Sequence, residues 1–182
     1  MKRFSICLIA VCLCAMVAST AAAQADLGMR GMGFRIGYVN PEDVDGTVGF
    51  AVFADMGTIV PNLMIEPNIG FWTSSEDIFG TKVSFRDIVV GGRGKYLFEI
   101  QNSKIRPFLG GGLGLHFLHA EVSSTGFPTI EDSEVRLGFD FGGGVYFPIN
   151  PSWDITSEVW YGIVSDINQA SIMVGAQYNF GY

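Results

Sequence analysis

Residues 169–180 read Gln-Ala-Ser-Ile-Met-Val-Gly-Ala-Gln-Tyr-Asn-Phe, with Gly181 and Tyr182 behind them. Ile172, Val174, Ala176, Tyr178 and Phe180 fall on one side of an extended chain. Ser171, Met173, Gly175, Gln177 and Asn179 fall on the other. Successive strand side chains point to opposite faces, so this two-residue period predicts a β-strand with one apolar and one mostly polar face. The apolar face ends on aromatic residues. A strand needs partners for its two edges, and candidates lie upstream.

Seven earlier segments carry the same alternation. Met32, Phe34, Ile36 and Tyr38 alternate with Gly33, Arg35 and Gly37, up to the turn residues at Asn40-Pro41. Val48, Phe50, Val52, Ala54 and Met56 alternate with Gly49, Ala51, Phe53 and Asp55. Past Pro61-Asn62, the residues Leu63, Ile65, Pro67, Ile69 and Phe71 oppose Glu66, Asn68 and Gly70. Ile88, Val90 and Tyr96 oppose Asp87, Arg93 and Lys95, and Leu109, Leu113, Leu115 and Phe117 oppose Gly110, Gly112, Gly114 and His116. Val135, Leu137, Phe139, Phe141 and Val145 oppose Glu134, Arg136, Gly138, Asp140, Gly142 and Gly144. Ile155, Val159, Tyr161 and Ile163 oppose Asp154, Thr156, Glu158 and Trp160. No helical period competes with these strands.

With the terminal strand the pattern predicts eight strands. The connections at residues 57–62, 99–104 and 148–152 read as short turns. Those at 73–81 and 123–132 read as longer polar loops, and those at 40–46 and 165–168 are brief. An even strand count with turns at one end and loops at the other fits an antiparallel up-and-down transmembrane β-barrel. Strands of ~10 residues cross a bilayer when tilted. Pro67 cannot donate to a ladder, so a bulge or a missing bond is expected beside it.

The chain is 182 residues long, enough for one domain. Met1-Lys2-Arg3, an apolar run to Val17 and the small residues ending Ala23-Gln24-Ala25 read as a secretory signal peptide. The expected division is 1–25 signal peptide and 26–182 barrel. Cys7, Cys12 and Cys14 all fall in the leader, so the exported chain holds no thiol and no cysteine metal site. Two of the 11 basic residues leave with the leader, which sets nine against 18 acidic ones. Such a chain offers nucleic acid no basic face.

Three features orient the barrel. Gly110, Gly112, Gly114, Gly142 and Gly144 gather on the polar face, where a narrow interior needs small residues. The charges of that face nearly balance, as an enclosed space requires. On the apolar face, Tyr96, Phe147, Trp153, Tyr178 and Phe180 gather at the turn end and Tyr38, Phe71 and Phe117 at the loop end. These are the two aromatic girdles of a lipid-embedded barrel, so the apolar face is predicted outside.

Arg-Pro-Phe-Leu-Gly-Gly-Gly-Leu-Gly-Leu at residues 106–115, Phe-Gly-Gly-Gly-Val at 141–145 and the terminal Tyr-x-Phe together resemble the OmpA/OmpX-like outer-membrane β-barrel domain. The resemblance spans the exported chain. It implies a protein of the bacterial outer membrane, in contact with lipid and lipopolysaccharide and inserted by the barrel assembly machinery. Ile172, Val174, Tyr178 and Phe180 resemble the C-terminal insertion signal of such barrels. No peptidoglycan-binding domain follows, so a cell-wall tether is not implied.

Catalytic patterns are weak. Gly91-Gly92-Arg93-Gly94-Lys95 lacks the glycine and the Ser or Thr of a phosphate loop, since Val89 and Tyr96 stand there. The Gly110–114 run lacks the third glycine of a dinucleotide site. His119 with Ser123, Ser124 and Glu121 could suggest lipid chemistry. His116 is expected inside, bonded to Arg136 or Asp140. His116 and His119 face opposite ways, which denies them a common metal. No catalytic residue, cofactor or metal is expected.

The expected interior network comprises Arg35, Asp55, Glu66, Arg93, Lys95, His116, Arg136, Asp140, Asp154 and Glu158, with Arg93 and Arg136 as its nodes. The functional expectation is a monomeric structural or interaction protein whose loops meet an unidentified ligand. The alternatives are a narrow pore or, less favoured, a lipid A-modifying enzyme.

Overall fold

The computed structural model describes residues 25–42, 44–78, 81–124, 128–165 and 167–181. The leader therefore lies outside the described residues. Eight strands follow in order: β1 (Asp26–Pro41), β2 (Thr47–Val60), β3 (Leu63–Ile78), β4 (Thr81–Leu97), β5 (Arg106–Ser124), β6 (Ile130–Asn150), β7 (Trp153–Val164) and β8 (Gln169–Asn179). Each pairs antiparallel with its chain neighbours. β8 closes on β1, from Gly31 opposite Asn179 to Pro41 opposite Gln169, so a closed barrel results. The Phe180 N–H extends this seam by donating to the Arg30 carbonyl at 2.7 Å.

Closure has a definite stagger. One row of partners runs from Val135 through Phe117, Ile88, Phe71, Phe50, Ile36, Val174 and Ser157, and returns to β6 at Val145, ten residues further along. Strands in such a barrel tilt by roughly 35–45° and leave an interior that side chains alone can fill.

The faces follow the two-residue period. Exposed apolar side chains run down the outside of every strand, for example Phe34 and Ile36 on β1, Leu113 and Leu115 on β5, and Ile172 and Val174 on β8. At the end holding the chain termini, Trp153 stacks edge-on to Tyr178 at 5.2 Å, and Tyr178 to Phe180 at 5.7 Å.

At Pro67 the β2–β3 register shifts between Phe53 and Thr58, so that β2 spends four residues against three of β3. Gly57 takes up the extra residue with a positive φ of 79°, and its N–H bonds Asp55 Oδ1 at 2.8 Å. This is the geometry of a glycine bulge. Pro67 faces outward and its β4 pairing stays regular, opposite Gly92.

One sequence expectation is corrected. In the segments read as long polar loops, at 73–81 and 123–132, the strands continue: β3 runs to Ile78, β4 starts at Thr81, β5 runs to Ser124 and β6 starts at Ile130. β2 pairs with β3 only up to Gly49 opposite Trp72, and β7 with β6 only up to Val164 opposite Gly138. β3 to β6 therefore project past the rim as a four-stranded sheet.

Candidate functional site: the lumen and the projecting sheet

Inside the barrel, Arg35 (β1), Glu66 (β3), Lys95 (β4) and Glu158 (β7) meet in one closed ring. Arg35 donates to Glu66 and, at 2.6 Å, to Glu158 Oε2. Lys95 Nζ donates to Glu66 Oε2 at 2.6 Å and to Glu158 Oε1 at 2.8 Å. All four side chains have 0% exposure. Two cations and two anions cancel, which is what makes such burial tolerable, since an unpaired ion there would cost several kcal/mol.

An aromatic layer surrounds the ring. Trp160 Nε1 donates to Glu158 at 2.8 Å, and Lys95 also reaches the Tyr146 hydroxyl at 3.2 Å. The Arg35 guanidinium lies 4.0 Å from the Phe53 centroid and Lys95 Nζ 4.5 Å from that of Phe108. In these contacts the negative faces of the rings attract the cations and replace part of the stabilisation that water would otherwise give.

Glycine makes the room. A Cβ on Gly33 would collide with the Phe53 ring, one on Gly144 would sit 2.9 Å from Phe108, and one on Gly142 2.8 Å from Trp160. The large rings occupy the space that the glycines give up, so the cross-section is packed. Gly111 and Gly143 instead lie on the lipid-facing phase, so glycine is not confined to the interior.

The other expected network residues lie at different depths. Arg93 holds Asp140 through Nε and Nη2, at 3.1 and 2.9 Å, and stacks 4.0 Å over Trp160. Asp154 pairs with Arg106, which the sequence reading left out, and with Asn179. Asp55 is held by the Gly57 N–H and a long contact from Gln177. Two assignments are corrected. His116 bonds neither Arg136 nor Asp140; its Nδ1 meets Asp87 Oδ2 at 2.7 Å, both groups being buried. Arg136 is not an interior node; its Nε bonds Glu134, two residues along its own strand, at 2.9 Å, with side chains 31% and 48% exposed. Arg136 has the inward phase but sits at the rim.

Past that rim the faces of the sheet exchange character. Outward positions of the projecting strands become polar and hydrogen-bond across the sheet: Ser75 to Ser84 at 2.9 Å and His119 Nδ1 to Ser133 at 2.8 Å. Arg86 stands opposite Thr73 and His119. His119 thus meets neither Ser123 nor Ser124. On β4 and β5 the inward positions become apolar, with Phe85, Leu118 and Ala120 flooring a cleft of ≈ 100 Å³, while Asp132 and Glu134 on the inward phase of β6 border it.

Comparison with known proteins extends this geometry. The family model of the outer membrane protein beta-barrel domain matches residues 8–180. Among solved structures, Neisserial surface protein A is similar, with a TM-score of 0.67, 16% identity, and 82% of this chain and 96% of that one covered. A major outer membrane protein of Thermus thermophilus gives 0.63 at 12% identity, with 84% and 100% covered. Ail, the attachment invasion locus protein of Yersinia pestis, gives 0.55 at 19% identity, with 84% and 100% covered. Ail has also been solved in complex with the heparin analogue sucrose octasulfate, at a TM-score of 0.56 and 16% identity. No curated protein sequence matches the chain.

Proposed function

The chain belongs to the outer membrane protein beta-barrel domain family and is a protein of the bacterial outer membrane, and from that premise we propose that it acts as a closed barrel presenting a surface sheet. The observation carrying this reading is the ring of Arg35, Glu66, Lys95 and Glu158, dry and set among Phe53, Phe108, Tyr146 and Trp160. A pore would need water along this path, and eight strands enclose little more than their own side chains.

In this reading the short-turn end faces the periplasm and the projecting sheet faces outward from the cell. The chain works as a monomer, because closure of β8 on β1 leaves no open edge at membrane depth. Insertion by the barrel assembly machinery uses the terminal strand, with Ile172, Val174, Tyr178 and Phe180 as its signal. On the outer face of the sheet, Arg86 and Lys82 lie where lipopolysaccharide phosphates would meet them.

The described projecting strands carry Glu76, Asp77, Glu121, Glu131, Asp132 and Glu134 against Lys82, Arg86 and Arg136. That excess of acid favours a basic ligand over a sulfated sugar of the kind solved with Ail. The role is non-enzymatic: His116 is shut in the lumen with Asp87, where no acyl chain arrives.

Proteoliposome swelling in arabinose or glucose tests the reading. The barrel should swell no faster than empty liposomes, and porin-like rates would overturn it. Lipid A mass spectra should be the same with and without the gene product; a changed acylation pattern would refute the non-enzymatic role.

A further inference from the structure

The connections at the turn end are unequal. β2 to β3 and β6 to β7 each turn in two residues, 61–62 and 151–152, whereas β4 to β5 takes eight, residues 98–105. Those eight are held in shape. The Phe98 N–H donates to the Pro107 carbonyl at 2.8 Å, and the Ser103 N–H to the Ile100 carbonyl at 3.1 Å. Asn102 takes a positive φ of 61° inside that turn, a conformation Asn tolerates.

What the segment exposes is apolar and continues the lipid-facing phase. Phe98 stacks edge-on to Tyr96 at 5.2 Å. Phe98 is 41% exposed, Ile100 49%, Ile105 41% and, on the outward phase of β6, Ile149 65%. Four such side chains fall well short of the ~800 Å² that each partner of a stable protein complex buries. Lipid depth fits them better. A strand advances ~3.3 Å per residue, of which roughly 2.5 Å runs along the membrane normal at the tilt of such a barrel. Ile100 and Ile149 therefore lie at most ~5 Å past Phe98 and Phe147, and the headgroup layer flanking the hydrocarbon core is ~5–7 Å deep on each side.

Charge points the same way. Between this turn and β6 runs a groove lined by Glu99, Ile100, Lys104, Ile105, Arg106 and Pro148. Lys104 has no ion-pair partner among the described residues, and Arg106 holds Asp154 while its side chain stays 44% exposed. Two cations against Glu99 leave the groove net positive in a chain that is acidic overall. That is the sign a phosphate requires.

We propose that residues 98–105 and Ile149 form an anchor lying in the headgroup layer of the periplasmic leaflet, with a phospholipid phosphate held by Lys104 and Arg106. The isoleucines turn toward the acyl chains, and Lys104 carries its charge to the phosphate on an apolar stem. The inference rests on the reading of the short-turn end as the periplasmic one.

The full chain in phospholipid nanodiscs, one barrel to a disc, tests this by amide relaxation. The probes are a gadolinium chelate in the water and a doxyl group high on the lipid chain. Amides 98–105 should be relaxed by the chelate at least threefold less than those of Asn62 and Ser152, and should be broadened by the doxyl lipid. Equal relaxation by the chelate would leave the segment in water, open to a soluble partner, and would overturn the proposal. So would shielding that arises only when two barrels share a disc, since the occupant would then be a second copy. Lys104→Glu should at least double the chelate effect on 98–105 in nanodiscs and change nothing in maltoside micelles, which carry no phosphate. No change in nanodiscs, or an equal change in both media, would overturn the phosphate contact. An impermeant thiol reagent tests the orientation separately: Ser133→Cys should label in intact cells, and Ser103→Cys only once the outer membrane is permeabilised. The reverse pattern would refute that underlying reading, whatever the nanodiscs show.

Discussion

Arg35 and Arg136 both point into the same barrel, yet they belong to different electrostatic worlds. Arg35 shares two carboxylates with Lys95 in a ring closed to solvent, its ligands coming from β3 and β7. Arg136 holds Glu134, a carboxylate of its own strand, at a rim where both side chains are partly exposed. The difference lies in depth along the strand rather than in residue type or phase. It teaches that a lumen charge matters in proportion to how many strands it joins and how little water can replace it.

The largest effect should come from Glu66, which accepts from both Arg35 and Lys95. Glu66→Met leaves two buried cations sharing one anion and should destabilise the barrel by about 3–5 kcal/mol. Urea unfolding in micelles, followed by the gel mobility shift, measures this. Adding Lys95→Met restores charge balance and should recover part of the loss, the coupling expected of contacting groups. Strict additivity of the two changes would mean that the ring is solvated. Arg93→Met comes next. It removes two hydrogen bonds to Asp140 and a stacking contact with Trp160, in a region 13–14% exposed. A loss of roughly 1–3 kcal/mol is expected.

Arg136→Leu should have the smallest effect, within ~1 kcal/mol, because exposed pairs contribute little. Raising ionic strength should shrink it further. If Arg136→Leu unfolds as easily as Glu66→Met, depth is not the deciding variable and the contrast fails.

Much of the barrel was legible in the sequence because one period repeated across eight segments. Arg35, Glu66, Lys95 and Glu158 could be assigned to the polar face by phase alone. Their meeting in one ring could not, since it depends on a ten-residue stagger accumulated over all eight seams and on the glycine bulge at Gly57. Asp87 stood on the polar phase beside His116's neighbours, but its partnership with His116 is a matter of register, Ile88 falling opposite Phe117. Arg106 was hidden by its place at a strand start, inside a stretch read for its glycines.

The projecting sheet was missed for a different reason. Its alternation continues, but with the faces exchanged: Phe85, Leu118 and Ala120 are apolar on the phase that is polar below them. The solvent outside changes from lipid to water at the rim, so the outward face must become polar. A pattern followed in one phase therefore reads as a loop where the strand has in fact gone on.

The most direct test of the central claim, a lumen sealed by the dry ring, is single-channel recording of the purified barrel in planar bilayers, beside the variant Glu66→Ala/Lys95→Ala. The parent should show no steady open level, and the variant, with two large side chains removed from a packed cross-section, should show conductance steps in the same membranes. A parent that conducts steadily, with the variant no more open than it, would contradict the account.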